Sequence, residues 1–390
     1  MDASRLGGLN MNNKTSRRDF LSTGLMLPVM GAGSSLGILN LSAQTPAGDA
    51  GSAVKLSYKT LGKTGLKVTT VGMGCMITSD PSVVTRAADL GITYFDTARG
   101  YQHGNNERMV GTALGDKRKQ VVLSTKTEAR DKAGMAKELD TSLSELKTDF
   151  VDVWYLHGKS NPSEIHDDMI EALQLAKQQG KARFVGVSTH SNQQTLIPWM
   201  VQKGVFDVVL SAFNFSMDPA VEQAINAAAK TGMGVVAMKV MAGGARGQKA
   251  GQTMLSTLKW VTNHPSVATT IPSMTDMAQL DENVQAMGST LTAEDHRVLA
   301  GHLKMIEAEY CRMCGKCEGT CAQGLPVADV LRYVTYADGY GQFALGRERY
   351  LQMASEHVEA RCENCPVCTV QCPFGVKVQM RMKRAQELFA

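Results

Sequence analysis

The sequence lacks a large excess of charge of either sign. Its 41 Lys and Arg residues and 37 Asp and Glu residues leave a net charge of +4 over 390 residues. Domains that bind nucleic acids usually carry a strong basic patch, and here the basic residues are scattered along the chain. We therefore expect no nucleic-acid partner.

Long apolar runs are also missing. A weakly apolar segment, residues 21–41, is diluted by Gly and Ser and interrupted by Pro28. A membrane-spanning helix needs about 20 consecutive apolar residues, so we expect no stable membrane span. Arg17 and Arg18 precede this segment, and the pattern resembles a twin-arginine export signal with a cleavage site near Ala43.

Residues 1–53 are accordingly predicted to be a signal peptide and linker. Export by the twin-arginine route would place the protein in the periplasm or the cell envelope. A cytoplasmic location, or a tether formed by an uncleaved signal, stays open as the alternative.

No GxGxxG motif follows the first predicted strand, which counts against an open dinucleotide-binding sheet. After a predicted hairpin at 56–60 and 66–70, short apolar strands alternate with amphipathic helical segments. This alternation favours an α/β fold, a (β/α)₈ TIM barrel over residues 54–303. The eight predicted strands are 71–75, 93–97, 121–126, 151–157, 184–189, 208–214, 235–240 and 268–273.

Cysteine is scarce before residue 311, where only Cys75 occurs, and we expect this one to be buried. The other eight form two C-x2-C-x2-C-x3-C motifs within residues 304–390. This spacing is typical of ferredoxins, in which three thiolates of one motif and the last of the other hold each [4Fe-4S] cluster. Zinc sites and disulfides do not require it.

We therefore predict a small ferredoxin-like iron-sulfur domain at 304–390 that binds two [4Fe-4S] clusters. The predicted ligands are Cys311, Cys314, Cys317 and Cys372 for one cluster, and Cys362, Cys365, Cys368 and Cys321 for the other.

Four side chains with acid-base chemistry lie where predicted strands end. Asp96 and Tyr101 follow the second strand, Lys126 ends the third and His157 ends the fourth. The carboxyl ends of barrel strands meet at one mouth, so these groups are candidates for a common site. Lys126, held by Asp96, is expected to lower the pKa of Tyr101 toward working pH.

At these residues the sequence resembles the aldo-keto reductases, from the hairpin YKTLGKTGLKV through FDTARGY, STK and YLHG to the IPS and ENV segments. The resemblance implies a catalytic tetrad of Asp96, Tyr101, Lys126 and His157. It also implies a nicotinamide cofactor. The residues expected to contact this cofactor are Ser188, Gly243, Gly244, Ser273, Glu282 and Asn283.

The chain departs from the family pattern at Leu210, where a Gln is usual, and at Met238, where an aromatic residue is usual. Ser273 and Gln279 stand where basic residues often bind the 2′-phosphate. NADP(H) is taken as more likely than NAD(H), and the choice between them stays open.

The resemblance implies hydride transfer between NAD(P)(H) and a small aldehyde, ketone, alcohol or sugar, with the clusters acting as an electron relay or as structure. A redox partner protein is possible. The alternative is an exported electron-transfer or docking protein whose barrel uses no nicotinamide. A third possibility is that the clusters sense redox state.

Overall fold

The computed structural model describes residues 55–244 and 250–390. The predicted export signal lies outside these residues. The described residues form one compact unit. No helix in the described ranges is long and apolar enough to cross a membrane.

The predicted hairpin is confirmed as β1 (Tyr58–Thr60) and β2 (Lys67–Thr69), which pair in antiparallel register. Gly65, with φ of 71°, ends the turn between them. The left-handed conformation explains why glycine occupies this position.

The core of the unit is a ring of eight parallel strands. Neighbours in sequence are neighbours in the sheet, and bridges from Val71 to Thr270 and from Gly74 to Ser273 join the first strand to the last. The ring closes as a barrel requires, so the predicted (β/α)₈ architecture is confirmed. The strands are β3 (Met73–Gly74), β4 (Tyr94–Asp96), β5 (Val122–Thr127), β6 (Val151–Leu156), β7 (Ala182–Thr189), β8 (Val208–Ala212), β9 (Gly234–Met238) and β10 (Thr269–Thr270).

Helices that follow the strands cover the outside of the ring, each burying one apolar face. Their first turns carry caps encoded in the sequence; the Asp80 carboxylate, for example, accepts a hydrogen bond from the Ser82 backbone N–H. The helices are α1 (Pro81–Asp89), α2 (Asn105–Leu114), α3 (Lys132–Glu145), α4 (Asp167–Gln178), α5 (Gln193–Lys203), α6 (Pro219–Lys230), α7 (Ala250–Asn263), α8 (Met277–Val284) and α9 (Ala293–Ile306).

The chain beyond α9 is helical, and no strand occurs among its described residues. It contains α10 (Val327–Asp338), α11 (Phe343–Leu351), α12 (Ser355–Glu359) and α13 (Val378–Phe389). Buried apolar residues of α10 and α13, among them Val334 and Phe389, pack together as the core of this part. The division into domains at residue 303 stays a prediction.

Candidate active site

A buried ion pair lies at the carboxyl ends of β4 and β5. Lys126 Nζ lies 2.5 Å from Asp96 Oδ2 and donates a second hydrogen bond of 2.7 Å to the Thr97 carbonyl oxygen. Ser124 Oγ donates to the other oxygen of Asp96 at 2.7 Å. Both charged side chains are almost fully buried, so each depends on these partners.

The phenol and the imidazole lie beside this pair. Lys126 Nζ is 4.7 Å from the ring centre of Tyr101, and the Tyr101 and His157 rings meet edge to face at 5.7 Å. Tyr101 begins a short 3-10 turn in which Gln102 and His103 have positive φ angles of 50° and 54°. Such angles cost energy for residues other than glycine, as is common at functional loops. The structure therefore brings the four predicted side chains together.

Burial controls the protonation of Tyr101. It raises the pKa of Tyr101 above its ordinary value, and the opposing effect of Lys126 does not offset it. The expected lowering of this pKa is therefore wrong, because the sequence does not show how completely the phenol is removed from water. Burial alone would lower the pKa of Lys126, but Asp96 and Tyr101 outweigh it and raise that pKa. Tyr101 is thus a protonated acid beside a permanent ammonium.

His157 is held by a residue that the sequence did not single out. Its Nδ1 lies 2.9 Å from Oε1 of Glu128, and Arg349 of α11 lies 3.6 Å from the same oxygen. Burial lowers the pKa of His157, so the ring is neutral at pH 7. Glu128 is the second residue after the STK motif, and its position there could have been noticed. Arg349 comes from beyond the barrel and leaves no such signal.

A cavity of about 380 Å³ opens above the tetrad. Asp96 and Tyr101 of the tetrad line it, together with Ser273, Gln279 and Glu282. Its other walls include Met238 and Lys239 from the end of β9. The segment beyond the barrel covers it with residues 336, 339, 340, 342 and 345. Sequence reasoning missed this cover, because it depends on contacts between parts of the chain that are far apart.

Several predicted cofactor residues border this cavity. Ser273 and Glu282 line it, and so does Gly244. Asn283 does not line the cavity; it is 1% exposed, and neither its amide oxygen nor its amide nitrogen has a hydrogen-bond partner. A buried unpaired amide at this position fits a ligand that would satisfy it, as the adenosine end of a dinucleotide would.

Other predicted cofactor contacts have partners within the protein. Ser188 Oγ accepts a hydrogen bond of 2.8 Å from the Gly158 N–H, which leaves its hydroxyl hydrogen and one lone pair free to bind a ligand. Gly243 and Gly244 have φ angles of 91° and 79° and pack against Tyr310 and Gly339. A Cβ at Gly244 would clash with the Gly339 carbonyl oxygen, so glycine is required there for packing.

The two departures from the family pattern have different surroundings. Leu210 is fully buried in β8 and does not border the cavity, whereas Met238 lines it. His103 is exposed, and His190 is mostly buried with its Nδ1 unpaired. Cys75 is fully buried as expected, and this burial raises the pKa of its thiol.

All nine cysteines are free thiols. Within the described ranges, no group of three or more His, Cys, Asp or Glu side chains stands around a common metal position. The thiols nevertheless lie close enough to affect one another's ionisation. Burial raises the pKa of Cys311 to about 12, and the thiols of Cys317, Cys314 and Cys372 add to that effect. Burial likewise raises the pKa of Cys362, with contributions from Cys321, Cys368 and Cys365.

Comparison with known proteins identifies the barrel. Residues 79–255 match the model of the aldo/keto reductase family. This part of the chain is therefore similar to the aldo/keto reductases. The protein is an oxidoreductase of this NAD(P)(H)-dependent type.

A solved aldo-keto reductase from Bacillus halodurans is 25% identical, with a TM-score of 0.55, and the match covers 63% of this chain and 96% of that one. An uncharacterized oxidoreductase of Bacillus subtilis is 27% identical over 63% of this chain and 95% of its own length. L-galactose dehydrogenase of Arabidopsis thaliana is 33% identical over 42% of this chain, and the match spans 58% of that relative.

Proposed function

We propose that the barrel is an aldo/keto reductase domain that interconverts a small carbonyl compound and its alcohol by hydride transfer with a nicotinamide cofactor, with NADP(H) preferred to NAD(H). The observation that carries the proposal is the buried Lys126–Asp96 pair beside Tyr101. In a carbonyl reduction Tyr101 can act as the proton donor, and the neighbouring Lys126, fixed by Asp96, can stabilise the charge left on it.

Ser273, Glu282 and Asn283 would hold the adenosine end of the cofactor, and Ser188 the nicotinamide end. A bound nicotinamide supplies the hydride. Tyr101 donates its proton to the substrate oxygen. Lys126 then stabilises the phenolate left on Tyr101, because its positive charge is fixed nearby by Asp96. His157, whose Nδ1 is held 2.9 Å from Glu128, packs edge to face against Tyr101 and keeps the phenol positioned beside the substrate oxygen.

Replacing Tyr101 with Phe tests this assignment. The variant keeps the ring but has no proton to give, so kcat for aldehyde reduction should fall by about 100-fold or more. Dinucleotide affinity, measured by quenching of tryptophan fluorescence, should change less than threefold. Unchanged turnover in this variant would refute the proposal.

The substrate class is a small carbonyl compound or sugar. L-galactose dehydrogenase carries a sugar in its name, which supports a hydroxylated substrate for this chain as well. The alternative, a docking protein whose barrel uses no nicotinamide, is disfavoured by the family match and by the unpaired amide of Asn283.

The same proposal includes two [4Fe-4S] clusters, one held by Cys311, Cys314, Cys317 and Cys372 and the other by Cys362, Cys365, Cys368 and Cys321. Thiolate is the ligand that such clusters require, and the mutual influence of these thiols follows the two proposed sets. Each cluster carries one electron, whereas a nicotinamide transfers two as a hydride, so the proposed role of the clusters is structural or is electron exchange with a redox partner protein.

Export by the twin-arginine route belongs to the proposal, since that route suits a protein loaded with cofactors before transport. The Arg17-Arg18 pair supports it. Replacing both arginines with lysine and measuring the protein in the periplasmic fraction checks it; undiminished export would refute it.

A further inference from the structure

A second phenol faces the cavity from outside the barrel. Tyr336 lies in α10, is 5% exposed, and borders the same cavity as Tyr101. Both phenols line this cavity, and Tyr336 adds a small contribution to the raised pKa of Tyr101. Tyr336 therefore belongs to the surroundings of the tetrad, although 235 residues separate it from Tyr101 in the sequence (336 minus 101).

Tyr336 has its own ammonium neighbour. Nζ of Lys239 lies 4.5 Å from the ring centre of Tyr336, close to the 4.7 Å between Lys126 and Tyr101. Lys239 follows β9 directly and has a φ angle of 57°. Asn214 fixes this backbone by donating a hydrogen bond of 3.0 Å to the Lys239 carbonyl oxygen. Such a conformation is held only where its surroundings require it.

The charge of Lys239 differs from that of Lys126 in one respect. Lys126 is neutralised by Asp96, whereas no carboxylate pairs with Lys239 among the residues that the structure describes. A second cation, Arg332, lies nearby in α10; its guanidinium pairs with Asp329 at 2.9 Å, while its Nε is buried without a partner. Burial alone would raise the pKa of Tyr336, but Lys239 and Arg332 outweigh it and lower that pKa.

We propose that the Tyr336 hydroxyl and the Lys239 ammonium bind a second oxygen of the substrate, so that the enzyme selects hydroxylated carbonyl compounds. The inference rests on the proposed function and adds the group that chooses among its substrates. Tyr101 binds the reacting oxygen, and the Tyr336–Lys239 pair binds a hydroxyl of the same molecule. An aldehyde without that hydroxyl gives the Tyr336 hydroxyl and the Lys239 ammonium no hydrogen bond, so it binds more weakly.

Two three-carbon aldehydes test the inference. Glyceraldehyde and propanal share a carbon chain and differ by two hydroxyl groups. In the full-length protein, Tyr336→Phe should lower kcat/KM for glyceraldehyde about tenfold and change that for propanal less than twofold. Lys239→Met should act in the same direction. Tyr333→Phe is the matched control, because Tyr333 lies on the same helix, is buried, and does not line the cavity.

Equal losses on both aldehydes would overturn the inference, and so would no loss on either. A weakened affinity for NADPH in Tyr336→Phe, measured by fluorescence titration, would assign the pair to the cofactor and overturn it too. If wild-type protein turned over neither aldehyde, the proposed function would fail, but substrate selection by Tyr336 and Lys239 would still have to be tested by binding. Calorimetric titration with glycerol and with 1-propanol would then decide, and equal affinities would refute selection by Tyr336 and Lys239.

Discussion

Asp96 shows how one residue can serve both stability and chemistry. Its carboxylate accepts from Lys126 and Ser124 while it is almost wholly removed from water. A carboxylate in such a place is stable only because its partners replace the lost hydration. The raised pKa of Lys126 has the same origin, since burial without Asp96 would lower it.

Replacing Asp96 with Asn should therefore damage the fold and the reaction together. The ammonium of Lys126 would stay buried without a counter-charge, and we expect the free energy of unfolding to fall by about 3 kcal/mol. Without Asp96, burial should lower the pKa of Lys126, so the loss should shrink as pH rises through that pKa, because the neutral amine costs less to bury. Urea unfolding at pH 7 and pH 9.5 measures both effects. A loss that did not depend on pH would contradict this account.

The tetrad was predictable because its members lie at or just beyond strand ends that hydrophobic patterning reveals. Asp96 ends β4 and His157 follows β6 directly. The direction of the Tyr101 pKa shift was not predictable, because it depends on burial created by distant segments. Tyr336 and Arg349 were missed for the same reason. Local sequence patterns carry no record of which remote helix packs over the mouth of the barrel.

At the scale of elements, the loops that carry the two cysteine motifs, residues 311–321 and 362–372, make contacts with distant parts of the chain. The motifs alone do not predict these contacts. The first loop lies against the beginning of α5: the Asn192 N–H donates to the Met313 carbonyl oxygen at 3.1 Å, and Gln194 Nε2 donates to the Cys314 carbonyl oxygen at 2.8 Å. Thr369, from the second loop, donates to the Thr320 carbonyl oxygen at 2.7 Å. The loops thus contact each other and the barrel.

Iron analysis tests the proposed ligand sets in these loops. Protein purified without oxygen should contain about eight iron atoms per chain, as two [4Fe-4S] clusters require. Cys372→Ser removes a ligand from the cluster of the first loop, so iron content should fall by roughly half and the electron paramagnetic resonance signal of one reduced cluster should disappear. Cys75→Ala is the control and should keep all the iron, because Cys75 lies alone in the barrel core. Zinc in place of iron, or no metal, would contradict the proposal.

At the scale of the whole molecule, the segment beyond the barrel completes the active site. Tyr336 and Gly339 cover the cavity, and Arg349 reaches the Glu128 carboxylate that orients His157. An ordinary barrel provides the tetrad, while this segment decides how much of the mouth is open. Substitutions that loosen this segment should therefore lower the free energy of unfolding and weaken substrate binding.

Arg381 is the residue through which this link can be tested. It is 5% exposed, and its Nη1 lies 2.8 Å from Asp338 Oδ2 at the end of α10 and 3.7 Å from Glu309. Replacing it with Met leaves the buried side of Asp338 without its cation, and we expect a loss of about 3 kcal/mol in the free energy of unfolding. Because the end of α10 leads into the residues that cover the cavity, KM for the aldehyde substrate should rise while kcat changes little.

Arg384 provides the matched comparison, because it reaches the same carboxylate at 3.5 Å but is 47% exposed in its side chain. Exposed ion pairs contribute less than about 1 kcal/mol, so Arg384→Met should cost little stability and leave KM unchanged. Urea unfolding and steady-state kinetics on both variants make the test. Equal effects of the two substitutions would show that the buried ion pair between α10 and α13 does not hold the cover on the cavity. The segment would then have to act on the active site through Arg349 instead.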